Sequence, residues 1–273
     1  MSDVPTRKVD IYSACAFPIS LSAGEAEIGR ATGFLWKMSG RVLLLSNWHV
    51  FSGRKPSTGQ PINPLCAIPD TIKFQCASKM SPMVEHSVAM SLQSRDGRNV
   101  WMQSGEYGQR VDIAFLDVTG ALHDPNCAKA FSEDVICINE QDENHELIAR
   151  IGSPVFVLGF PLKVRPTGIF PILKRASIAT EVDLDVNGLP SFLIDTATRE
   201  GMSGSPVIQR LIVESPGNQL LWRAAPTGDT RFLGMYSGRH IGEIGEAQLG
   251  IVWKRNVIES LLMTAVPGDF DLL

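Results

Sequence analysis

Short apolar segments separated by polar turns run along most of the chain. Each segment is closed by residues such as Gly, Pro, Asn or Ser, which is typical of β-strands joined by tight connections. Residues 257–264 instead show helical apolar spacing, so the pattern predicts an all-β protein with a short C-terminal helix. The predicted strands cover residues 14–21, 28–36, 42–46, 71–76, 87–92, 100–102, 111–118, 154–161, 173–184, 191–195, 207–213, 232–236 and 249–253.

A change in composition divides the 273-residue chain. Residues 119–150 are rich in Asp, Glu, Asn and Gln, and we interpret them as a linker between two halves. The linker separates an N-terminal β-barrel over residues 1–118 from a C-terminal β-barrel with its helix over residues 151–273. The length permits either one large β-rich domain or two small barrels that share an interface.

Composition and charge disfavour several classes of protein. Hydrophobic residues make up 44% of the chain and charged residues 20%, which is ordinary for a globular protein and argues against disorder. The formal net charge of −4 suggests neither a nucleic-acid partner nor an anionic membrane. Residues 1–10 carry charges and no long apolar run, so we expect no signal peptide, no membrane span and a cytoplasmic location.

Cysteine usage points away from disulfides and metals. The five cysteines are odd in number and include no C-x-x-C pair, which favours free thiols in a reducing compartment. The clustered ligands that a zinc site needs are also missing from the sequence. We therefore expect neither a metal nor a cofactor.

A glycine-flanked serine is the strongest chemical signal. The segment Gly201–Pro206 reads G-M-S-G-S-P, and a serine on such a tight turn can expose its hydroxyl. The backbone N–H groups of Gly201 and Ser203 can then point at one spot and stabilise an oxyanion in acyl transfer. Taken alone, the segment is equally typical of an ordinary Gly/Ser turn between strands.

A serine nucleophile needs a base and a group that orients the base, and two upstream segments offer them. His49 follows the apolar run 42–46, and Asp112 opens the apolar strand 111–118. A carboxylate there is costly to bury without a partner, and a histidine N–H would be one. Each residue alone could be an incidental histidine or a turn-capping aspartate. The order His, Asp, Ser is that of the chymotrypsin arrangement.

Five segments in this order resemble the chymotrypsin/trypsin-fold serine proteases, with the greatest likeness to the bacterial HtrA/Deg and glutamyl-endopeptidase branches. The resemblance implies two six-stranded antiparallel β-barrels with the catalytic groups in the cleft between them. It also implies that Ser203 is the nucleophile, His49 the general base and Asp112 its orienting group, with an oxyanion hole at Gly201 and Ser203. The segments are Thr32-Gly33-Phe34, Asn47-Trp48-His49-Val50, Val111-Asp112-Ile113-Ala114, Val157-Leu158-Gly159-Phe160-Pro161, and Asp195-Thr196-Ala197 leading to Gly201–Pro206.

The chain departs from the family pattern at four points. Trp48 stands beside His49, where the family usually has a small residue. Met202 replaces the aspartate that pairs with a freed N-terminus in secreted trypsins, so we expect no activation by N-terminal cleavage. Ser205 replaces the second family glycine. We expect no PDZ-like domain after Leu273, and we therefore expect this chain to lack the oligomer-building and peptide-sensing part of HtrA proteins.

The family register also predicts a pocket for the residue before the cleaved bond. The register places the pocket base six residues before Ser203, at Ala197, where no charge is available to pair with a buried cation. We therefore expect cleavage after small or medium apolar residues. The predicted substrate-binding residues are Ala197, Thr198, Tyr236, Ser237, Gly238 and Gly250.

Two other interpretations of this pocket stay open. Arg239 or His240 could swing in and bind an acidic side chain, or Asp195 could face the pocket if the register slips by two.

Three functions remain in competition. The presence of all three triad residues favours a serine endopeptidase that acts on proteins or peptides. A peptide-binding or scaffolding module on the same fold would use the cleft without turnover. An esterase would use the same atoms. The sequence leaves the oligomeric state open.

Overall fold

The structure is a computed structural model that describes residues 10–79, 86–123, 135–141, 147–161, 170–196, 200–210, 230–240 and 248–269. Over these ranges the chain forms fourteen β-strands and three α-helices, which confirms the predicted all-β class. None of the described helices has the length and apolar character that crossing a bilayer requires.

The strands form two antiparallel sheets. The first sheet contains β1 (Ala16–Ala23), β2 (Ala26–Met38), β3 (Arg41–Ser46), β4 (Thr71–Cys76), β5 (His86–Ser91), β6 (Met102–Gln103), β7 (Ala114–Asp117) and β14 (Val266–Pro267). The second contains β8 (Pro154–Gly159), β9 (Ile172–Ile178), β10 (Ser191–Asp195), β11 (Pro206–Arg210), β12 (Thr230–His240) and β13 (Leu249–Lys254).

The two sheets differ in closure. The second is a closed six-stranded barrel in the order β10-β13-β12-β11-β8-β9, as predicted for the C-terminal half. The first is a curled eight-stranded sheet in the order β14-β6-β7-β3-β2-β1-β4-β5. It has more than six strands partly because Val266 of β14 pairs with Gln103 of β6, so the chain returns to this sheet after the barrel is complete.

The central strand β3 shows why the apolar pattern specifies this architecture. All four residues from Val42 to Leu45 are buried, as expected for a strand covered on both faces. Val42 and Leu44 face the core of the first sheet. Leu43 and Leu45 face a second core that also contains barrel residues such as Ile208 and Phe232. The two sheets therefore pack on each other, and the serine segment approaches the first sheet along this boundary.

Three short helices complete the fold. They are α1 (Trp48–Ser52), α2 (Thr119–His123) and α3 (Arg255–Thr264). Helix α3 confirms the predicted C-terminal helix, and its buried face adds Val257, Ile258, Leu261 and Leu262 to the shared core.

Candidate active site

His49 and Asp112 are brought together by the central strands of the first sheet. Strand β3 ends at Ser46, Asn47 keeps an extended backbone, and α1 begins at Trp48. Asp112 lies just before β7, and β7 pairs with β3 so that Ala114 faces Ser46. Strand pairing thus places the two residues side by side although 63 positions separate them.

Two hydrogen bonds connect His49 to the Asp112 carboxylate. The ring nitrogen Nδ1 lies 2.7 Å from Oδ2, and the His49 backbone N–H donates to Oδ1 at 2.9 Å. The Asp112 side chain is only 6% exposed, whereas the His49 side chain is 20% exposed. Because an ionised carboxylate can only accept, Nδ1 carries the ring proton and Nε2 is left to act as a base.

Two further side chains hold Asp112 in place. Ser237 Oγ donates to Asp112 Oδ2 at 2.5 Å, and Asn47 Nδ2 donates to the Asp112 backbone carbonyl at 2.7 Å. In β12, Tyr236 faces Val252 while Gly238 faces Ile251, so Ser237 is the extra residue of a bulge. Bulges redirect side chains, and this one directs Ser237 to the carboxylate. The sequence indicates Ser237 only as a pocket residue and Asn47 only as part of a motif.

The environment of His49 raises its pKa above the usual value of 6.5. Burial of the ring lowers the pKa, because it disfavours the charged form. The Asp112 charge and its hydrogen bond raise the pKa and outweigh burial. The imidazolium that would form on proton transfer is therefore stabilised.

Trp48, the unexpected neighbour of His49, anchors α1 to the sheet. Its side chain is fully buried, and the indole N–H donates to Gln103 Oε1 at 2.7 Å. Its ring also meets Trp101 edge-to-face, with 6.3 Å between the centroids. The large side chain fits here because β6 and the residue before it supply both a polar and an aromatic partner.

Ser203 lies half-buried on a tight turn that spans residues 200–204 and leads into β11. Gly201 and Gly204 have φ angles of +93° and +81°, which other residues rarely adopt. Thr32 N–H donates to the Ser203 carbonyl at 2.8 Å, and Gly204 N–H donates to the Tyr236 carbonyl at 3.0 Å. The serine turn is therefore tied to β2 of the first sheet and to β12 of the barrel.

Gly204 allows the serine turn to approach the strand that leads to His49. A Cβ atom added to Gly204 would lie 2.2 Å from the Thr32 carbonyl oxygen and 2.2 Å from Ser46 Oγ. Ser46 is the last residue of β3, three positions before His49. Any side chain at position 204 would therefore push the turn away from the His49–Asp112 pair.

Met202 anchors the serine turn from the other side. Its side chain is 2% exposed and packs among the apolar residues of the barrel core. At the position where secreted trypsins use an ion pair, this chain uses burial of an apolar side chain.

The predicted specificity pocket is only partly described. Ala197 and Thr198 lie outside the described residues, and so do the side chains of Arg239 and His240. Asp195 is exposed at the end of β10.

Two of the predicted pocket residues contact each other in the barrel. The Tyr236 ring is 1% exposed and packs in the barrel core, so its side chain supports the site from behind. Gly250 lies against this ring, because an added Cβ atom would be 2.5 Å from Tyr236 Cε2 and 3.1 Å from Thr196 Cγ2. A Cβ atom added at Gly238 would meet nothing within 4 Å, so this position leaves open space.

The described residues contain no group of three His, Cys, Asp or Glu side chains that could hold a metal ion. The described site contains a histidine ring oriented by a carboxylate and a tight turn that carries a serine, which are the types of group that nucleophilic catalysis uses.

One solved structure with a TM-score above 0.5 supports the fold, and two others resemble the chain less well. The serine endoprotease from Yersinia pestis aligns with a TM-score of 0.53 at 13% identity, over 96% of this chain and 67% of its own. The HtrA-type protease AlgW with tripeptide aligns with a TM-score of 0.48 at 14% identity, and the alignment covers 92% of this chain and 60% of that protein. Protease Anisep from Arthrobacter nicotinovorans aligns with a TM-score of 0.48 at 13% identity, and the alignment covers 90% of this chain and 93% of that protein.

Sequence comparison identifies the family. A search of curated proteins found no significant match. The family profile described as a trypsin-like peptidase domain matches residues 31–211, about two thirds of the chain, and this span includes the predicted histidine, aspartate and serine segments. The chain therefore belongs to the trypsin-like peptidases, the serine proteases of chymotrypsin fold.

Proposed function

We propose that this protein is a serine endopeptidase that cleaves proteins or peptides with a triad of Ser203, His49 and Asp112. The observation that carries the proposal is the His49–Asp112 pair, in which Nδ1 lies 2.7 Å from Oδ2 and the His49 N–H donates to Oδ1 at 2.9 Å. A carboxylate held in this way fixes the ring tautomer that a general base needs. The attachment of the serine turn to β2 and β12 supports the same assignment.

The reaction divides into acylation and deacylation. Ser203 Oγ attacks the scissile carbonyl while His49 Nε2 takes its proton, and the Gly201 and Ser203 N–H groups bind the oxyanion. His49 then gives the proton to the leaving amine, which leaves an acyl-enzyme on Ser203. Water, activated by His49, hydrolyses the ester and restores Ser203.

In this proposal the two halves supply different groups. The N-terminal unit, residues 1–118, provides the base and its carboxylate, and the C-terminal unit, residues 151–273, provides the nucleophile across the linker 119–150. The apolar core shared by the two sheets supports this division, because it holds them in one relative position.

The pH dependence follows from the direction of the His49 pKa shift. The base must be neutral, so kcat/KM should be low in acid and rise with pH through the His49 pKa. Because Asp112 raises that pKa, the midpoint of the rise should lie above 6.5. The measurement is a pH–rate profile of kcat/KM with a peptide substrate. A profile that stays flat from about pH 5 to 9 would contradict a titrating histidine.

The pocket should accept small or medium apolar side chains before the cleaved bond. The family register places Ala197, which carries no charge, at the base of this pocket, and Gly238 leaves open space beside β12. Each buried methylene adds about 0.8 kcal/mol, so Ala, Val, Leu and Met should differ only about tenfold to a few hundredfold in kcat/KM.

A peptide library read by mass spectrometry tests both the function and the pocket. Internal cleavage after apolar residues is expected. Dominant cleavage after Arg or Lys would refute the prediction that the bottom of the specificity pocket is uncharged. Dominant cleavage after Glu would indicate that His240 or Arg239 binds the acidic side chain in the pocket. A purified protein that binds peptides but leaves the whole library intact would refute the endopeptidase proposal.

A further inference from the structure

Thr32 of the first sheet hydrogen-bonds directly to the serine turn. It lies in β2 and is fully buried. Strand β2 pairs with β3 from Phe34 onward, where Phe34 faces Leu45. Two residues earlier, the same strand edge is occupied by the serine turn, because the Thr32 N–H donates to the Ser203 carbonyl at 2.8 Å.

The Thr32 hydroxyl makes two further hydrogen bonds, and both reach the barrel. Oγ1 donates to the Gly201 carbonyl at 2.8 Å and accepts from the Phe160 N–H at 3.1 Å. A hydroxyl has one donor and can accept as well, so both bonds can exist at once. A single side chain thus joins the start of the serine turn to the end of β8.

The Gly201 carbonyl belongs to the peptide between the two predicted oxyanion donors. Gly201 has a φ of +93°, and glycine can adopt many other backbone conformations. The hydrogen bond from Thr32 to the Gly201 carbonyl fixes the orientation of the peptide that joins Gly201 to Met202. It therefore also sets the relative direction of the Gly201 and Ser203 N–H groups.

We infer that Thr32 is a positioning residue. Its hydroxyl holds the serine turn in the conformation in which the Gly201 and Ser203 N–H groups form the oxyanion hole. The inference rests on the proposed function, because it assigns Thr32 to the oxyanion hole of that site. The Thr32 backbone N–H would hold Ser203 even without the side chain. The hydroxyl is the part that acts on Gly201, so it can be tested by substitution.

The test replaces the hydroxyl with a methyl group of similar size. Thr32→Val keeps the side-chain shape but leaves the Gly201 carbonyl and the Phe160 N–H without this partner. Removing one oxyanion donor typically costs about 10²–10³ in kcat, and a small misplacement of a catalytic group about 10². We expect kcat to fall about a hundredfold in Thr32→Val with KM within about threefold. Thr32→Ser, which restores the hydroxyl, should stay within about tenfold of the wild type.

A second measurement separates positioning from a general loss of structure. A peptidyl aldehyde forms a tetrahedral adduct whose oxygen occupies the oxyanion hole. The inhibition constant of the aldehyde should rise in Thr32→Val by about the same factor by which kcat falls. The affinity for the corresponding peptidyl alcohol, which carries no charge and forms no tetrahedral adduct, should stay unchanged. The pH–rate midpoint should also stay unchanged, because Thr32 makes no contact with His49 among the described hydrogen bonds.

The outcomes distinguish this inference from the proposed function. If wild-type protein cleaves peptides and Thr32→Val cleaves them equally well, the inference is wrong and the endopeptidase stands. If wild-type protein cleaves nothing, the proposed function itself fails. Should Thr32→Val not fold, as judged by its thermal unfolding transition, Thr32→Ala takes its place. If neither variant folds while Thr32→Ser does, the hydroxyl serves the fold and the positioning role is overturned.

Discussion

Replacing Ser203 with alanine should abolish peptide hydrolysis and labelling by a fluorophosphonate probe. Triad residues act as a unit, so loss of the nucleophile typically costs about 10⁴ to 10⁶ in kcat. The turn around Ser203 presents this hydroxyl through two glycines with positive φ angles. The measurements are kcat for a peptide substrate and mass mapping of the labelled peptide.

Ser205 provides a matched control in the same segment. It is fully buried, and its Oγ has no hydrogen-bond partner among the described residues. Ser205→Ala should therefore keep full activity and full labelling at Ser203. A probe attached to Ser205, or an active Ser203→Ala variant, would show that the nucleophile has been assigned to the wrong residue.

Replacing Asp112 with asparagine should lower kcat about 10⁴-fold, as expected when the base is forced into the wrong tautomer. The His49 backbone N–H needs an acceptor at the Oδ1 position, so the amide oxygen takes that position. The amide NH₂ then replaces Oδ2 and donates to His49 Nδ1. The ring proton must move to Nε2, and the ring can no longer accept the Ser203 proton. The Ser237 hydroxyl can rotate to accept from the NH₂, so this arrangement stays hydrogen-bonded.

Asp117 offers the control for this change. It lies five residues further along the same segment, and its carboxylate pairs with Arg41 at 2.7 Å on an exposed surface. Asp117→Asn removes a carboxylate of the same segment without touching His49, so kcat should not change. Equal losses in the two variants would mean that the effect comes from folding, and an unchanged kcat in Asp112→Asn would remove Asp112 from the triad.

The apolar pattern predicted most of the fold because burial acts locally on each strand. The run from Val42 to Leu45 required cover on both faces, and the two sheets provide it with two different cores. The residues around His49 and Asp112 carried a chemical signal of their own, since a carboxylate beside an apolar strand needs a donor. This signal, together with the family order of the segments, predicted the pairing of these two residues.

The remaining features depend on pairing between distant strands. Ser237 reaches Asp112 only because the register of β12 shifts against β13. Gly238 is a residue type that often marks such a bulge, but the local sequence does not show which group the redirected side chain would meet. Strand β14 has two residues, which is too short for an alternating pattern. The buried ring of Tyr236 likewise follows from the closure of the barrel, so its position could not be predicted from its neighbours in the sequence.

Strand β14 also bears on the order in which the protein matures during synthesis. Val266 of β14 pairs with Gln103 at the edge of the first sheet, and Gln103 holds Trp48, the neighbour of His49. Val266 follows Ser203 in the sequence by 63 positions. At about 5–20 residues per second, the ribosome needs roughly 3 to 13 seconds to add that stretch. Through this interval a growing chain already contains Ser203 but lacks the strand that pairs at Gln103, whose side chain holds Trp48 of α1. Full cleavage activity is therefore expected only after residue 266 has been added and paired.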